Sequence, residues 1–221
     1  MTERDPGPSP AAAPELDRTF WEQRWAAHSA DTGEAEPNPT LAGTASQLSP
    51  GVALDAGSGI GADAIWLARR GWTVDAVDFV ASALDSAHRR AERLGPGVAS
   101  RIAWRQGDLN TWTPTRHAYD LVSAHYLHGV SRRADLFRRL AAAVRPGGTL
   151  LIVGHHPSNL DVSGGTMSRA VFFTAAEVLE VLDEAWESVT ADDAVPRQAT
   201  DHDGHPIMLR SVLVQAQRRI P

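Results

Sequence analysis

The stretch that decides the fold is Val52-Ala53-Leu54-Asp55-Ala56-Gly57-Ser58-Gly59-Ile60-Gly61, in which a short apolar run meets a glycine-rich turn. Glycine lets a backbone turn tightly and approach a ligand where a β-carbon would collide with it. Residues 62–70 then combine good helix formers with apolar positions and end at Gly71. The sequence therefore predicts a strand, a ligand-binding turn and a helix.

Two cofactor classes use such a turn, and Asp55 bears on the choice between them. As Gly57-x-Gly59-x-x-Ala62 the turn fits nicotinamide dinucleotide sites, where a pyrophosphate lies on the helix N-terminus. As Asp55-x-Gly57-x-Gly59-x-Gly61 it fits a site for S-adenosylmethionine, which carries an ammonium and a sulfonium and no phosphate. A carboxylate attracts such a cation and repels a pyrophosphate. Asp55 favours the methyl donor, and a nicotinamide-dependent oxidoreductase is the alternative.

Four further strands are predicted along the chain, at residues 72–78, 101–106, 117–124 and 149–154. Asp78 falls at the carboxyl end of the second strand, beside Phe79, where a carboxylate can accept both hydroxyls of a ribose. Gly107-Asp108-Leu109 closes the third strand, where a carboxylate and a backbone amide could contact an adenine. Arg145-Pro146-Gly147-Gly148 predicts a turn that leads into the fifth strand.

These motifs, in this order, resemble the class I S-adenosylmethionine-dependent methyltransferases over about residues 50–155. The resemblance is carried by residues 54–61, Val77-Asp78, Gly107-Asp108-Leu109, Tyr119-Asp120-Leu121-Val122 and Arg145-Pro146-Gly147-Gly148. Residues 20–25 and 61–68 are most similar to small bacterial enzymes related to the tellurite-resistance and thiopurine methyltransferases. The resemblance implies an α/β fold: a Rossmann-like three-layer sandwich whose seven-stranded, mostly parallel sheet has an antiparallel last strand.

The resemblance also implies a site for S-adenosylmethionine. The residues expected to contact this cofactor are Asp55, Gly57, Gly59, Gly61, Asp78, Phe79, Asp108, Leu109, Ser123, Trp21 and Trp25. Trp21 and Trp25 share one face of a helix that begins near Thr19, where Thr19-x-x-Glu22 predicts a capping box. The two indoles either pack on the edge of the sheet or cover the cofactor as a lid, where a ring would attract the sulfonium.

Histidines follow the fourth and fifth strands, where open α/β sheets bind ligands. His125 and His155 lie closest to the strand ends, and we predict that either could remove a proton from a hydroxyl, thiol or amine during methyl transfer. In-line alignment without a base is the alternative. The residues expected to contact the acceptor are Tyr126, His128, His156 and Phe172. Specificity is predicted to reside in residues 156–173, which combine Pro and Gly with apolar side chains.

Composition predicts one α/β domain that acts on a small molecule. The chain has 221 residues, a net charge of −6 and no cysteine, and its basic residues form no stripe that could follow a phosphate backbone. The exit of the fourth strand, Ser123-Ala124-His125-Tyr126, lacks the Asn-Pro-Pro-aromatic pattern of nucleic-acid amino-methylating enzymes. With no signal peptide and no apolar run of transmembrane length, we expect a cytoplasmic monomer or homodimer that binds neither nucleic acid nor membrane.

The predicted organisation is a disordered leader at residues 1–16 and a single methyltransferase domain at residues 17–221. The domain is divided into a lid or helix region at 17–48, a cofactor-binding core at 50–155, a substrate loop at 156–173, and a C-terminal helix and strand pair at 174–217. Thr174-Ala175-Ala176-Glu177 predicts a capping box at the C-terminal helix. A non-catalytic module that senses the cofactor or binds a partner remains a third hypothesis.

Residues Asp201-His202-Asp203-Gly204-His205 raise the question of a metal site, because His155-His156 could join them as ligands. An Asp-Gly pair between apolar strands is also an ordinary hairpin signal, and the strands predicted at 186–191 and 207–216 favour that interpretation. We therefore predict no metal.

Overall fold

The computed structural model describes residues 20–23, 25, 36–162, 169–200 and 204–221, and within these ranges seven strands form one sheet. The strands are β1 (Val52–Ala56), β2 (Thr73–Asp78), β3 (Ile102–Gln106), β4 (Tyr119–His125), β5 (Val144–His155), β6 (Trp186–Thr200) and β7 (Pro206–Arg218). Their order is β3-β2-β1-β4-β5-β7-β6. Strands β1 to β5 pair in parallel, whereas β7 is antiparallel to both β5 and β6. The predicted mostly parallel sheet with an antiparallel last strand is confirmed.

Helices pack on both faces of the sheet, which makes the three layers that the sequence predicted. The helices are α1 (Pro39–Ala45), α2 (Ala62–Arg69), α3 (Ala81–Arg93), α4 (Pro96–Ala99), α5 (Arg133–Ala143), α6 (Asn159–Val162) and α7 (Ala175–Leu179), with a 3₁₀ turn at Arg169–Val171. Residues 20–23 and 25 are helical as well. Apolar residues of α1 and α2 are buried against one face of the sheet, and those of α5 and α7 against the other.

The side chains of β1 alternate between these two faces, and this alternation positions the site. Ala53 packs with α2, whereas Leu54 and Ala56 pack with α5. Asp55 lies on the α2 face and is the register partner of Ser123 on β4. Since β2 and β4 flank β1 on opposite sides, the chain reverses its winding here, and open sheets bind ligands beyond such a point.

Residues 145–148 differ from the predicted turn, because they lie inside β5. Val144 already pairs with Tyr119, and pairing resumes at Thr149 with Leu121, so the residues between them form a bulge. Gly147 adopts φ 78° in this bulge, a conformation that glycine reaches without steric cost. The turn chemistry was recognised correctly, but the strand begins before it.

Strand β6 is much longer than the predicted segment 186–191. It continues to Thr200 as the outer partner of β7, with irregularities between Glu187 and Thr190 and between Asp192 and Val195. Polar residues and Pro196 hide the strand in the sequence. They are tolerated because β6 is an edge strand, where a proline N–H is not needed.

The capping box at α7 is confirmed, since the Thr174 backbone N–H donates to Glu177 Oε1 at 3.0 Å and the reciprocal bond is present. The expected leader at residues 1–16, the cap at Thr19, and Asp201, His202 and Asp203 lie outside the described residues. Among the described helices, none has the length and apolar character that a bilayer span requires.

Candidate active site

A cavity of about 220 Å³ lies beyond the carboxyl ends of β1, β2, β3 and β4. Its walls come from the turn after each of these strands and from the N-terminal helical residues. The lining residues are Trp21, Trp25, Gly57, Gly59, Asp78, Phe79, Asp108, Leu109, Asn110, His125, Tyr126, Leu127, His128, Gly129 and Val130. The glycine turn predicted to bind a cofactor and the β4 exit predicted to bind an acceptor therefore face one space.

The glycine turn comes close to the residues that cover it. Gly57 has φ 81° and Gly59 has φ 51°. A Cβ on Gly57 would overlap the Leu127 side chain, and a Cβ on Gly59 would lie 3.2 Å from the Trp25 ring. Only glycine combines these backbone angles with so close an approach.

Asp78 links the glycine turn to the end of β2. Its carboxylate is only 6% exposed and accepts hydrogen bonds from the backbone N–H of Gly59 at 2.8 Å and of Val80 at 2.9 Å. Burial raises the pKa of Asp78 above its ordinary value, while these backbone N–H groups lower it in part. The carboxylate is thus fixed at the wall of the cavity, where a ribose could bind.

Asp55 does not line the cavity. It is 3% exposed beneath the glycine turn, accepts a hydrogen bond from the Ala64 backbone N–H, and its Oδ2 has no hydrogen-bond partner among the described residues. Burial raises the pKa of Asp55 well above its ordinary value, and the nearby charges of Asp63 and Asp78 raise it further. Asp55 therefore lies behind the cavity wall and does not form part of it.

This group of carboxylates fits S-adenosylmethionine. Asp55, Asp63 and Asp78 form a group of carboxyl groups behind the turn, and the negative charge that this group carries favours a cationic ligand and disfavours a pyrophosphate. The orphaned oxygen of Asp55 is a buried acceptor that the described residues leave unsatisfied. These carboxyl groups therefore match S-adenosylmethionine better than a dinucleotide.

Two indoles cover the cavity. Trp21 and Trp25 stack with ring centroids 5.6 Å apart, and Trp21 lies 4.9 Å from the His128 ring. Both line the cavity, and Trp25 lies against Gly59. Trp25 thus lies against the glycine turn, and Trp21 lies against His128 on the other side of the cavity.

His125 is held from behind by a carboxylate on α2. His125 Nδ1 lies 2.7 Å from Asp63 Oδ2, and Asp63 Oδ1 accepts a hydrogen bond of 2.7 Å from the Asn38 backbone N–H. The side chains of His125 and Asp63 are 7% and 14% exposed. His125 Nε2 is buried and has no hydrogen-bond partner in the described part of the chain. His125 is also one of the residues that line the cavity.

His155 has a different environment. It is 8% exposed, does not line the cavity, and packs behind the Tyr126 ring at 4.8 Å and the His128 ring at 5.4 Å. Burial, together with the nearby charges of His128 and Arg197, lowers the pKa of His155 to about 3. The imidazole is neutral at physiological pH and shielded from the cavity.

The structure thus divides the predicted site residues into two sets. Those that line the cavity are Trp21, Trp25, Gly57, Gly59, Asp78, Phe79, Asp108, Leu109, His125, Tyr126 and His128. Those that do not are Asp55, Gly61, Ser123, His155, His156 and Phe172. Ser123 is fully buried and donates to the Leu54 carbonyl, which keeps its hydroxyl away from the cavity.

Sequence reasoning missed four lining residues: Asn110, Leu127, Gly129 and Val130. Asn110 ties two loops together, since its side-chain NH₂ donates to the Gly129 carbonyl and its Oδ1 accepts from the Ser131 backbone N–H, each at 2.9 Å. Its position directly after Gly107-Asp108-Leu109 was a usable signal, whereas nothing in the pattern distinguishes Leu127 or Val130 from core residues.

With this geometry established, comparison with known proteins decides the class. Residues 53–148 match the family described as "Methyltransferase domain". Residues 53–148 therefore form a methyltransferase domain. The cofactor implied by this domain is S-adenosylmethionine, in agreement with the sequence prediction.

The individual relatives of this methyltransferase domain are distant. The chain is 35% identical over 112 residues to the ribosomal RNA small subunit methyltransferase C of Alcanivorax borkumensis. The aligned segment covers 48% of this chain and 33% of the relative. This chain therefore spans about a third of that relative's length. Among solved structures, TehB from Haemophilus influenzae superposes with a TM-score of 0.68 at 18% identity, over 82% of this chain and 62% of TehB.

A second solved structure, an S-adenosylmethionine-dependent methyltransferase from Methanosarcina mazei, gives a TM-score of 0.60 at 14% identity and covers 85% of this chain and all of its own (100%). These likenesses establish the fold. TehB is among the small bacterial methyltransferases that the sequence motifs resemble.

Proposed function

We propose that the protein transfers the methyl group of S-adenosylmethionine to a small-molecule acceptor. The observation that carries this proposal is that one cavity joins the glycine turn at Gly57 and Gly59 to the rings of Tyr126 and His128. A cofactor on the turn and an acceptor against the rings would lie side by side in this one cavity, which is what direct transfer requires.

The residues on the cofactor side match the parts of the cofactor. The backbone at Gly57 and Gly59 would hold the methionine part, Asp78 the ribose hydroxyls, and Asp108 with the Leu109 backbone the adenine. When bound, S-adenosylmethionine supplies an electrophilic methyl group on a positively charged sulfur. The Trp25 ring against Gly59 and the carboxylates behind the turn favour that charge.

On the acceptor side, His125 is the candidate base. It lines the cavity and has a buried nitrogen without a partner, whereas His155 lies behind other rings and has a pKa of about 3. A base must reach the proton that it removes, so of the two histidines predicted as bases His125 is the one that meets this condition.

The form of the cavity favours a small acceptor over RNA. The net charge is −6, and Asp78 and Asp108 line the cavity, which would repel a phosphate backbone. The indoles of Trp21 and Trp25 cover the cavity and leave room for a compact molecule. Ribosomal RNA remains the competing acceptor class, because one relative is a ribosomal RNA methyltransferase.

The test measures S-adenosylhomocysteine release by the full-length protein, with mass spectrometry of the acceptors. One arm offers a panel of phenols, thiols and amines, and the other offers bacterial small ribosomal subunits and their extracted RNA. Methylation of a small molecule supports the proposal. Methylation of RNA alone, or cofactor binding without turnover in either arm, overturns it.

Variants in the same assay examine the candidate base. His125→Gln is expected to lower kcat by about 100-fold. His88→Gln, on the exposed surface of α3, should leave kcat unchanged. Equal rates in the two variants would mean that His125 removes no proton.

A further inference from the structure

The pair formed by Asp63 and His125 crosses from helix α2 to strand β4 and is fixed at both ends. Asp63 stands in the first turn of α2, and its Oδ1 is held by the Asn38 backbone N–H at 2.7 Å. Its Oδ2 contacts His125 Nδ1, also at 2.7 Å. Neither carboxylate oxygen is free to turn away, so the orientation of the imidazole is set by a rigid partner.

This contact determines which imidazole nitrogen carries the hydrogen. An ionised carboxylate only accepts hydrogen bonds, so Nδ1 must be the donor when the two groups pair. In the neutral imidazole, Nε2 then carries a lone pair and no hydrogen. Because Nε2 is buried and without a partner among the described residues, it is an acceptor that awaits a donor.

The pair also has charged and titratable neighbours on the adjoining elements. Asp63 faces His125 from α2, and Asp63 is also close enough to Asp55 on β1 for the two carboxyl groups to interact electrostatically. On the β4 side, Tyr126 and His128 line the same cavity.

We infer that Asp63 is a positioning residue that holds His125 as a proton acceptor, and that the methyl acceptor therefore carries hydrogen on its nucleophilic atom. The substrate class is a hydroxyl, a thiol or an amine with an N–H. This inference rests on the proposed methyl transfer. It excludes acceptors such as tertiary amines and thioethers, which have no proton to give.

In this step the lone pair of the acceptor atom forms a bond to the methyl carbon, and the carbon–sulfur bond breaks with its electron pair left on sulfur. The proton of the acceptor passes to His125 Nε2. The resulting imidazolium is paired with the Asp63 carboxylate and later releases the proton to water. No other reactant is needed.

The first experiment reads the tautomer of His125 and needs no acceptor. The full-length protein is labelled with ¹⁵N in its nine histidines, saturated with S-adenosylhomocysteine, and His125 is assigned by its loss in His125→Gln. The expected result is hydrogen on Nδ1 in the wild type and a shift towards hydrogen on Nε2 in Asp63→Asn. Asp63→Asn keeps Oδ1 as an acceptor for Asn38 and changes only the atom that faces His125. Asp85→Asn, exposed on α3, is the matched control.

A wild-type His125 with hydrogen on Nε2, or a tautomer that Asp63→Asn leaves unchanged, would overturn the inference. Calorimetry with S-adenosylmethionine on the same samples separates this failure from that of the proposed function. If the cofactor does not bind, methyl transfer fails whatever the tautomer.

The second experiment compares protic and aprotic acceptors. Catechol, thiophenol and aniline are the protic probes, and pyridine and dimethyl sulfide are the aprotic ones. The inference predicts methylation of a protic probe, with kcat about 100-fold lower and KM unchanged in Asp63→Asn, and with activity largely restored in Asp63→Glu. Methylation confined to the aprotic probes, or full kcat in Asp63→Asn, would contradict it.

Discussion

Replacing His155 with Phe should remove a large part of the protein's sensitivity to mild acid. His155 is 8% exposed at the end of β5, and Tyr126, His128 and Phe172 surround its ring. Burial is the main reason that its pKa falls to about 3. A phenyl ring fits among these aromatic neighbours and carries no titrating group, so His155→Phe isolates the effect of this one proton.

The direction in which the free energy of unfolding changes with pH follows from the pKa of His155 in the folded and in the unfolded chain. In the unfolded chain a histidine titrates near 6.5, and in the folded protein His155 titrates at about 3. Between these values the unfolded state binds more protons, so the free energy of unfolding falls as the pH decreases from 6.5 towards 3. At a pH of about 5, roughly 1.5 pH units below the unfolded value, the loss is about 2 kcal/mol at 1.36 kcal/mol per unit.

The assay is urea unfolding at a pH of about 7.5 and of about 5, with His155→Phe beside the wild type. Between the two pH values, the wild type should lose about 2 kcal/mol more of its unfolding free energy than His155→Phe does. His88→Gln, a change at an exposed histidine, should retain the wild-type loss. Equal losses in the wild type and His155→Phe would refute the assignment of this acid sensitivity to His155.

Three other substitutions test the packing around the site. Gly61→Ala should cost about 1–3 kcal/mol in thermal unfolding, because Gly61 has φ 72° and its Cβ would lie 2.5 Å from Trp104; an unchanged Tm would contradict this. Tyr119→Phe should cost about 1 kcal/mol in urea unfolding, since the Tyr119 hydroxyl donates to Asp75 Oδ2 at 2.8 Å; a loss near zero would mean that the bond contributes nothing. Trp25→Ala should weaken S-adenosylhomocysteine binding about 10-fold in calorimetry with an unchanged circular dichroism spectrum, and full affinity would exclude a role of the indole over the turn.

The parts of the fold that were predictable from sequence are those where local pattern and burial agree. The stretch from Val52 to Gly61 contains an apolar run and glycines at positions with positive φ, so strand and turn could be predicted together. Thr174 and Glu177 form their capping box because the bonds are local. Strand β6 beyond residue 191 was missed, since an exposed edge strand needs no apolar run.

The candidate site was predictable by region and not by individual side chain. His125 and His155 occupy similar sequence positions at strand ends, yet one lines the cavity and the other lies behind Tyr126. What separates them is the tertiary contact of His125 with Asp63, which is 62 residues away in the chain. Asp55 shows the same limit, because a strand pattern does not reveal that its carboxylate faces the backbone of α2.

Calorimetric titration of the full-length protein with S-adenosylmethionine and S-adenosylhomocysteine tests the central claim most directly. Asp78→Asn changes the carboxylate at the cavity wall, Asp85→Asn is its exposed control on α3, and NAD⁺ serves as the competing cofactor. The account predicts that both adenosyl compounds bind, that Asp78→Asn weakens them about 10-fold or more while Asp85→Asn does not, and that NAD⁺ fails to compete. Binding of NAD⁺ alone, or of neither adenosyl compound, would contradict the assignment of this cavity to methyl transfer.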